Sequence, residues 1–577
     1  MKRILLPVTS NLTLFVISIL LLGAFGITYY QLFLDRIEIS DAIIGLGEMV
    51  FMAYIICLCS YLGRKVHLKI LFYILLFTIY TVNRYLIYEF NTDMTPNILR
   101  LFFETNSKEV SGFFQTYFFT MATLKTVLFV GTLMVITIVG EHYNKHLTKI
   151  MSRPVPMCIM SLILLFGAVS GIGTIRRYWN LTQCKKALEA ELWIRDNRYA
   201  EMPIPNLCYS IAAMNLAGND LNYMIEATME SLKDVEPVEG DSLNIVLVIG
   251  ESYNKYHSAL YGYTLDDTPF MIQEKEKGNL LAFTHVKAPH NMTSVVLKNA
   301  LCCNNVHEGE MWHDYPYFPA IFKKAGYDVW FWDNQYQVGP NMPWSFTLNS
   351  IIFNEKIQQL SYTAINDSCF TYDNELITDF EQNELSKIGS HNLMVFHLVG
   401  HHIPANLQFP HNQENNIYTI NDIKDKAPFL DNDRRQEMAD YANATRYNDK
   451  VIKHIMDMVR ETNTILIYFS DHAEEVYDYR DYYGRTILGK EEITPNLIKY
   501  QIEIPFIVWG TDKWKQTHEA EWKTIGEAVD REFTTDNICH LLFRLAGIKT
   551  KAYKPTRDLL SPTFEPQSKE YDIASLK

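Results

Sequence analysis

Residues 244–252 read Asn-Ile-Val-Leu-Val-Ile-Gly-Glu-Ser. The unbroken apolar run Ile245–Ile249, mostly β-branched, specifies a strand buried on both faces. The run stops at Gly250 and a carboxylate, Glu251, follows. Open α/β sheets place their chemistry at the carboxyl edge of the strands. One such acid by itself is as well explained as a solvated loop residue, but the pattern recurs. Leu393 to Gly400 is a second strand-like run and ends in His401-His402; Thr464 to Ser470 is a third and ends in Asp471-His472. Three apolar strands that deliver Glu, His-His and Asp-His to one edge describe a metal site assembled from sheet ends.

At 577 residues the chain exceeds one ordinary domain. Hydrophobic residues make up 48% and charged residues 20%, and most of the apolar excess lies in the first 175 residues. The net charge of -14, with no basic stripe, excludes a nucleic-acid-binding surface. Apolar runs at about Leu12–Tyr30, Ala42–Leu62, Ile70–Ile87, Phe118–Val139 and Met157–Ile175 are each near the ~20 residues that cross a bilayer. The first is long and lacks a small-residue cleavage site, so it is expected to be retained rather than removed as a signal peptide. Lys2 and Arg3, then Arg64, Lys65 and Lys69, then Lys145, Lys149 and Arg153 mark the cytoplasmic side. The amino terminus is therefore expected in the cytoplasm, and everything after the fifth span outside it. The third loop, Pro96 to Gln115, reads as a helix lying on the outer membrane surface, with Thr105 and Glu109 on one face. Residues 176–239 read as an amphipathic helical connector resting on the membrane. Cysteines beyond the spans would sit where disulfides are permitted, with partners that sequence alone does not give.

From residue 240 onward, strand-like segments at 243–250, 328–332, 393–399, 464–470 and 504–509 alternate with helical ones at Tyr317–Ala325, Asp373–Leu385, Arg434–Glu461 and Asp536–Ala546. The alternation predicts an α/β domain with a mainly parallel sheet and helices on both faces. Pro505 fits a strand start or an edge. Glu251, Asp471 and His472 are ligands zinc accepts, and three protein ligands leave a fourth position for a hydroxyl nucleophile. Candidates are Thr293 and Ser294, at the start of a helix whose amino terminus would also favour a phosphoryl group.

The run Ile249-Gly-Glu-Ser252, with Ala259-Leu-Tyr-Gly-Tyr263, Thr268-Pro269, Gly326-Tyr327, Asn334-Gln335 and Phe396-His-Leu-Val-Gly-His-His-Ile-Pro404, resembles the bacterial phosphoethanolamine transferases. These are inner-membrane enzymes of the alkaline phosphatase and sulfatase superfamily. Arg446-Tyr-Asn-Asp449, Tyr468-Phe-Ser-Asp-His-Ala-Glu-Glu475 and Ile504-Pro-Phe506 continue the match, and Asp471–Arg485 is most similar to the branch that modifies lipopolysaccharide core sugars. The resemblance implies a five-helix membrane domain over 1–175, the connector over 176–239, and an α/β extracytoplasmic domain of the alkaline phosphatase/sulfatase type over 240–577. It implies an inner-membrane, monomeric zinc enzyme with its catalytic domain in the periplasm. That enzyme would move phosphoethanolamine from phosphatidylethanolamine to lipid A or a core sugar through a phosphothreonine. Glu251, Thr293, Asp471 and His472 match the metal-site positions, and Thr293 rather than Ser294 matches the nucleophile. His402 matches a histidine that meets the phosphoryl group or a second zinc, and His401 stands beside it at the substrate. Thr105 and Glu109 match positions linked to the lipid headgroup, although a family Asn just before them is Leu101 here. Ala473 replaces the usual Gly of the SDHGE motif, and a later family histidine has no counterpart in 475–490, so Arg480 or Arg485 is expected to hold the phosphate. Pro289 and Asn299 stand where many members carry a disulfide around the nucleophile. The competing readings are a phosphoglycerol transferase of the lipoteichoic acid synthase type and an inactive membrane sensor. A sulfatase reaction is discounted, because no Cys/Ser-x-Pro-x-Arg motif lies near residue 293.

Overall fold

A computed structural model describes residues 2–24, 39–90, 94–96, 98–99, 120–185, 189–190, 193–194, 203–335, 351–425, 427–486 and 494–566. The chain divides into two compact units at Gly218–Asn219. Among the described residues, four helices of the first unit are long and apolar enough to cross a membrane, or five if a bent pair is one span.

The bent pair consists of α1 (Lys2–Ser10), which precedes the first apolar run, and α2 (Leu12–Ile19, with a wider turn to Ala24), which begins where the run expected from Leu12 to Tyr30 begins; the bend between them is 78°. Pro7 cannot donate a helical hydrogen bond, and Asn11 at the bend turns its Nδ2 back onto the Pro7 carbonyl at 2.9 Å. Residues 25–38 lie outside the described residues, as do Thr105 and Glu109. The remaining spans are α3 (Ile39–Leu62), α4 (Leu68–Phe90), α5 (Met121–His142) and α6 (Pro154–Gln183). Helices α3 and α6 approach closely because small residues face the contact. A Cβ on Gly171 would stand 2.3 Å from the Phe51 ring, and one on Gly167 2.6 Å from Val50. Beyond α6 comes α7 (Pro203–Ser231).

The second unit is built on a seven-stranded sheet. Its strands are β1 (Leu243–Gly250), β2 (Leu280–Phe283), β3 (Asp328–Asp333), β4 (Ala364–Ile365), β5 (His391–His397), β6 (Thr464–Ser470) and β7 (Phe506–Gly510). The spatial order is β2-β7-β6-β1-β5-β3-β4. Strand β7 alone runs against its neighbours, so the sheet is mainly parallel, as the alternation predicts. Pro505 precedes β7, where its missing N–H costs no ladder bond. Every residue of β1 is buried. Alternate side chains feed two cores. Ile245, Leu247 and Ile249 pack with Val395, Ile467 and Phe469 on one face, and Val246 and Val248 with Phe396, Leu466 and Tyr468 on the other. The long helix Asn432–Val459 covers the second core through Tyr441, Val451 and Ile455.

Strand β1 is central, and its register fixes the site. Ile249 lies beside His397 of β5, and Gly250 beside Ser470 of β6. The three chains therefore leave the sheet at one level.

Candidate metal and phosphoryl-transfer site

Backbone hydrogen bonds carry the strand alignment past the ends of the strands. Asp471 N–H donates to Gly250 O at 2.9 Å, and His401 N–H to Glu251 O at 2.9 Å. Gly400 makes this possible. Its φ is +54°, and a Cβ there would stand 2.8 Å from Glu251 N and 2.9 Å from Glu251 O. No other residue fits so near a fixed backbone.

Glu251, Asp471 and His472 converge in a fully buried cluster whose ligand atoms all lie within 4.8 Å of one another. His472 Nε2 is 3.1 Å from Glu251 Oε1 and 3.2 Å from Asp471 Oδ2. Thr293 begins the helix Thr293–Leu301. Its Oγ1 donates to Glu251 Oε2 at 2.9 Å and lies 3.2 Å from His472 Nε2. Ser294, the other candidate, is buried at 6% exposure, while Thr293 is half-buried and reaches the cluster.

These separations test the site for a cation. Four ligands about 2.0–2.1 Å from a tetrahedral zinc stand ~3.3 Å apart along each edge, close to the spacings here. Asp471 Oδ2 is buried with no hydrogen-bond partner, a costly state for a carboxylate unless a cation faces it. His472 Nδ1 faces the Ala473 carbonyl at 3.1 Å, which places the ring proton there and leaves the Nε2 lone pair toward the cluster. Burial keeps this imidazole neutral, with a pKa of about 4, and the charge of Arg485 adds to that. Burial also pushes the Asp471 carboxyl well up, reinforced by the charge of Glu251. Burial opposes the charge on Glu251 too, but the positive charge of Arg485 beside it helps hold that carboxyl well below its ordinary range. The donor set fits a divalent metal such as zinc.

Of the other sequence candidates, Arg485 joins the cluster. Its guanidinium donates to His472 Nε2 and, at 3.2 Å, to the Asn291 carbonyl. His402 is half-buried, with Nδ1 2.9 Å from the Ile403 carbonyl. His401 is fully buried. Its ring stacks on Tyr253 at 4.3 Å, and its Nε2 meets Thr445 Oγ1 at 3.1 Å. The Arg480 guanidinium forks onto Glu475 at 2.7 and 2.8 Å. Both side chains are thus engaged outside the cluster.

Sequence reasoning missed the residues that aim the ligands. Gln335 Nε2 donates to Glu251 Oε2 at 3.1 Å and to the Leu398 carbonyl at 2.7 Å. Ser252 Oγ donates to Glu251 Oε1 at 2.6 Å, and Ser252 N–H to Asp471 Oδ1 at 3.1 Å. Asn291, in the loop before Thr293, is held by Gln501 Oε1 at 2.8 Å. Gln335 and Ser252 stand in the motifs Asn334-Gln335 and Ile249-Gly-Glu-Ser252, which carry the family resemblance without giving these two residues a role, and Asn291 is marked only by its place just before Thr293.

The model of the Sulfatase family matches residues 243–548. Phosphoethanolamine transferase EptC of Escherichia coli K12 is 26% identical over 491 residues, which cover 83% of this chain and 80% of that one. Phosphoethanolamine transferase CptA of Salmonella typhimurium is 24% identical over 501 residues, again 83% of this chain and 80% of its own. The crystal structure of the C-terminal periplasmic domain of E. coli EptC in complex with Zn has a TM-score of 0.48 at 26% identity, covering 57% of this chain and 89% of that one.

Proposed function

We propose, from the premise that this chain belongs to the sulfatase family, that it is a membrane-anchored transferase of phosphoethanolamine. The donor is phosphatidylethanolamine, and the acceptor is lipid A or a core sugar of lipopolysaccharide. The curated relatives that match most of the chain carry the name phosphoethanolamine transferase. The observation that carries the reading is the Thr293 hydroxyl, placed at a helix start and hydrogen-bonded to Glu251 inside the buried cluster.

In this reading Thr293 Oγ1 attacks the donor phosphorus, with Glu251 Oε2 the acceptor toward which the hydroxyl proton already points. Diacylglycerol leaves, and His402, at the rim of the site, supplies the proton to its alkoxide. Arg485 and the amino terminus of the Thr293 helix stabilise the charge on the phosphoryl oxygens. An acceptor hydroxyl then attacks the phosphorus and gives its proton to His402, while the bond to Thr293 Oγ1 breaks and that oxygen takes back the proton held at Glu251. Glu251, Asp471, His472 and Thr293 would hold zinc, which when bound supplies positive charge that lowers the cost of ionising the hydroxyl. Thr105 and Glu109 receive the lipid headgroup, and Arg480 shapes the outer rim.

We place residues 1–175 as a five-span anchor, 176–239 as connector and the remainder as a periplasmic catalytic domain acting as a monomer, with the amino terminus in the cytoplasm. The apolar helices and the basic loops between them support this orientation.

Intact mass after incubation with phosphatidylethanolamine tests the reading. One added phosphoethanolamine, absent in Thr293→Ala, is expected. A gain only from phosphatidylglycerol moves the chain to phosphoglycerol transfer, and no gain from either lipid in zinc-loaded protein defeats covalent transfer altogether.

A further inference from the structure

Beside the nucleophile loop, the segment Ile498–Ile502 carries a lysine, Lys499. The Lys499 ammonium lies 4.6 Å from the centre of the Tyr256 ring and 4.8 Å from that of Tyr500. Among the described residues it has no carboxylate and no hydrogen-bond acceptor. The nearby carboxylate, Glu503, is already taken by Lys255 Nζ at 2.8 Å and by the Tyr256 hydroxyl at 2.6 Å. Tyr500 in turn stacks on Tyr479, with ring centres 5.7 Å apart and planes inclined by 21°. Tyr256 meets Tyr500 edge to face, with ring centres 5.4 Å apart, and the three rings and Lys499 are all half-buried. The result is a ledge of three packed rings with a cation that has no carboxylate among the described residues, in a chain whose net charge is -14.

The ledge is tied to the reaction centre. Gln501, two positions on from Lys499, accepts from Asn291 Nδ2 at 2.8 Å and donates to Glu475 Oε1 at 2.6 Å. Asn291 holds Arg485 through its carbonyl, and Glu475 accepts from the Tyr479 hydroxyl at 3.1 Å. One hydrogen-bonded chain therefore links the ledge to the residues around Thr293.

We propose that Lys499 and the rings of Tyr256, Tyr479 and Tyr500 are the landing site of the acceptor, and that the acceptor is an acidic saccharide. This deepens, and rests on, the transferase reading. Flat sugar faces present C–H groups that pack on aromatic rings with little loss of conformational freedom. The carboxylate or phosphate of the sugar supplies the counter-ion that Lys499 lacks, and the cation–π contacts hold the ammonium in place before the ligand arrives. A neutral sugar would leave that charge unmet. A phospholipid headgroup would offer an anion but no face for the rings.

The test uses the full-length zinc-loaded protein, with phosphatidylethanolamine as donor and Kdo(2)-lipid A, the substrate in the name of one relative, as acceptor. Lys499→Gln and Tyr500→Ala are expected to raise the KM for the acceptor about fivefold, the scale of one exposed ion pair, with a much smaller change in the KM for the donor. Lys499→Arg keeps the charge and restores the acceptor KM. A rise confined to the donor KM would assign the ledge to lipid headgroups and overturn the proposal, as would unchanged constants in a variant with unaltered melting. A second arm needs no turnover. Saturation-transfer NMR compares N-acetylglucosamine 1-phosphate, galacturonic acid and neutral N-acetylglucosamine. At least one acidic sugar should bind the wild type and lose its signal in Lys499→Gln. Equal signals from the neutral sugar, or from both proteins, overturn the proposal. A wild type that binds the acidic sugar at Lys499 but gains no phosphoethanolamine mass leaves the ledge standing and refutes the transferase reading instead.

Discussion

Replacing Gln335 by Met should loosen the proposed metal site without emptying the space the side chain fills. The amide of Gln335 makes two bonds that Met cannot, to Glu251 Oε2 at 3.1 Å and to the Leu398 carbonyl at 2.7 Å. A hydrogen bond to a charged acceptor contributes about 1.5–3 kcal/mol. At about 1.4 kcal/mol per tenfold, that range predicts a ~10- to 150-fold loss of zinc affinity, in line with the ~10–100-fold typical of groups that orient a ligand. The second loss falls on a backbone carbonyl at the strand end and should cost about 1 kcal/mol, or roughly 2–4 °C in melting temperature for a domain of this size. Competition with a chromophoric chelator reads the zinc affinity, and calorimetry of the metal-free protein reads the stability. If zinc affinity stays within twofold of wild type while the melting temperature falls, Gln335 serves the fold alone, and the argument that it aims Glu251 is wrong.

Other perturbations separate the parts. Gly400→Ala puts a Cβ against the Glu251 backbone in a left-handed conformation that costs about 1–2 kcal/mol by itself; activity should fall more than tenfold, and a normal rate would show that the strand end can shift freely. Gly171→Val drives α3 from α6, because the space is already filled by Phe51; the folded yield in detergent should drop, while Gly173→Val, where a Cβ meets nothing, is tolerated. Glu274 is held at about 2: burial opposes its charge, but Trp509 Nε1 and the side chains of Lys277, Asn279 and Arg460 prevail. Its folded value lies below its unfolded one, so its contribution is complete above about pH 4.5 and is lost as pH falls toward 2. Glu274→Gln should therefore flatten the acid limb of a stability-versus-pH curve over that window; an unchanged limb would refute the assignment.

The sequence made the centre legible because each ligand follows a run of β-branched and aromatic residues with a single possible direction. Once Ile245–Ile249 and Thr464–Ser470 are buried parallel strands, Glu251 and Asp471-His472 must leave at one level. What it could not supply was anything set by non-local pairing. Leu280–Phe283 is too short to announce itself as a strand, and nothing local reverses β7, whose direction follows from pairing with both β2 and β6. The bend after α1 depends on a side-chain bond from Asn11 to Pro7 that periodicity does not register. Gln335 belongs to a motif of the resemblance, Asn334-Gln335, but its contact with Glu251 appears only once the two strand ends are side by side. The choice between Thr293 and Ser294 turns on which side chain of a helix start faces the cluster, a matter of a fraction of a turn.

The centrality of β1 has a consequence for biosynthesis. Its two neighbours in the sheet begin at His391 and Thr464, so the strand that carries Glu251 is made long before either partner exists. Pairing over such separations is slow and closes late. A nascent chain therefore holds Glu251 and Thr293 without the Asp471-His472 pair, and no fragment that stops before those two residues can assemble the centre. A ribosome that stalls inside the domain therefore leaves a product without the assembled centre.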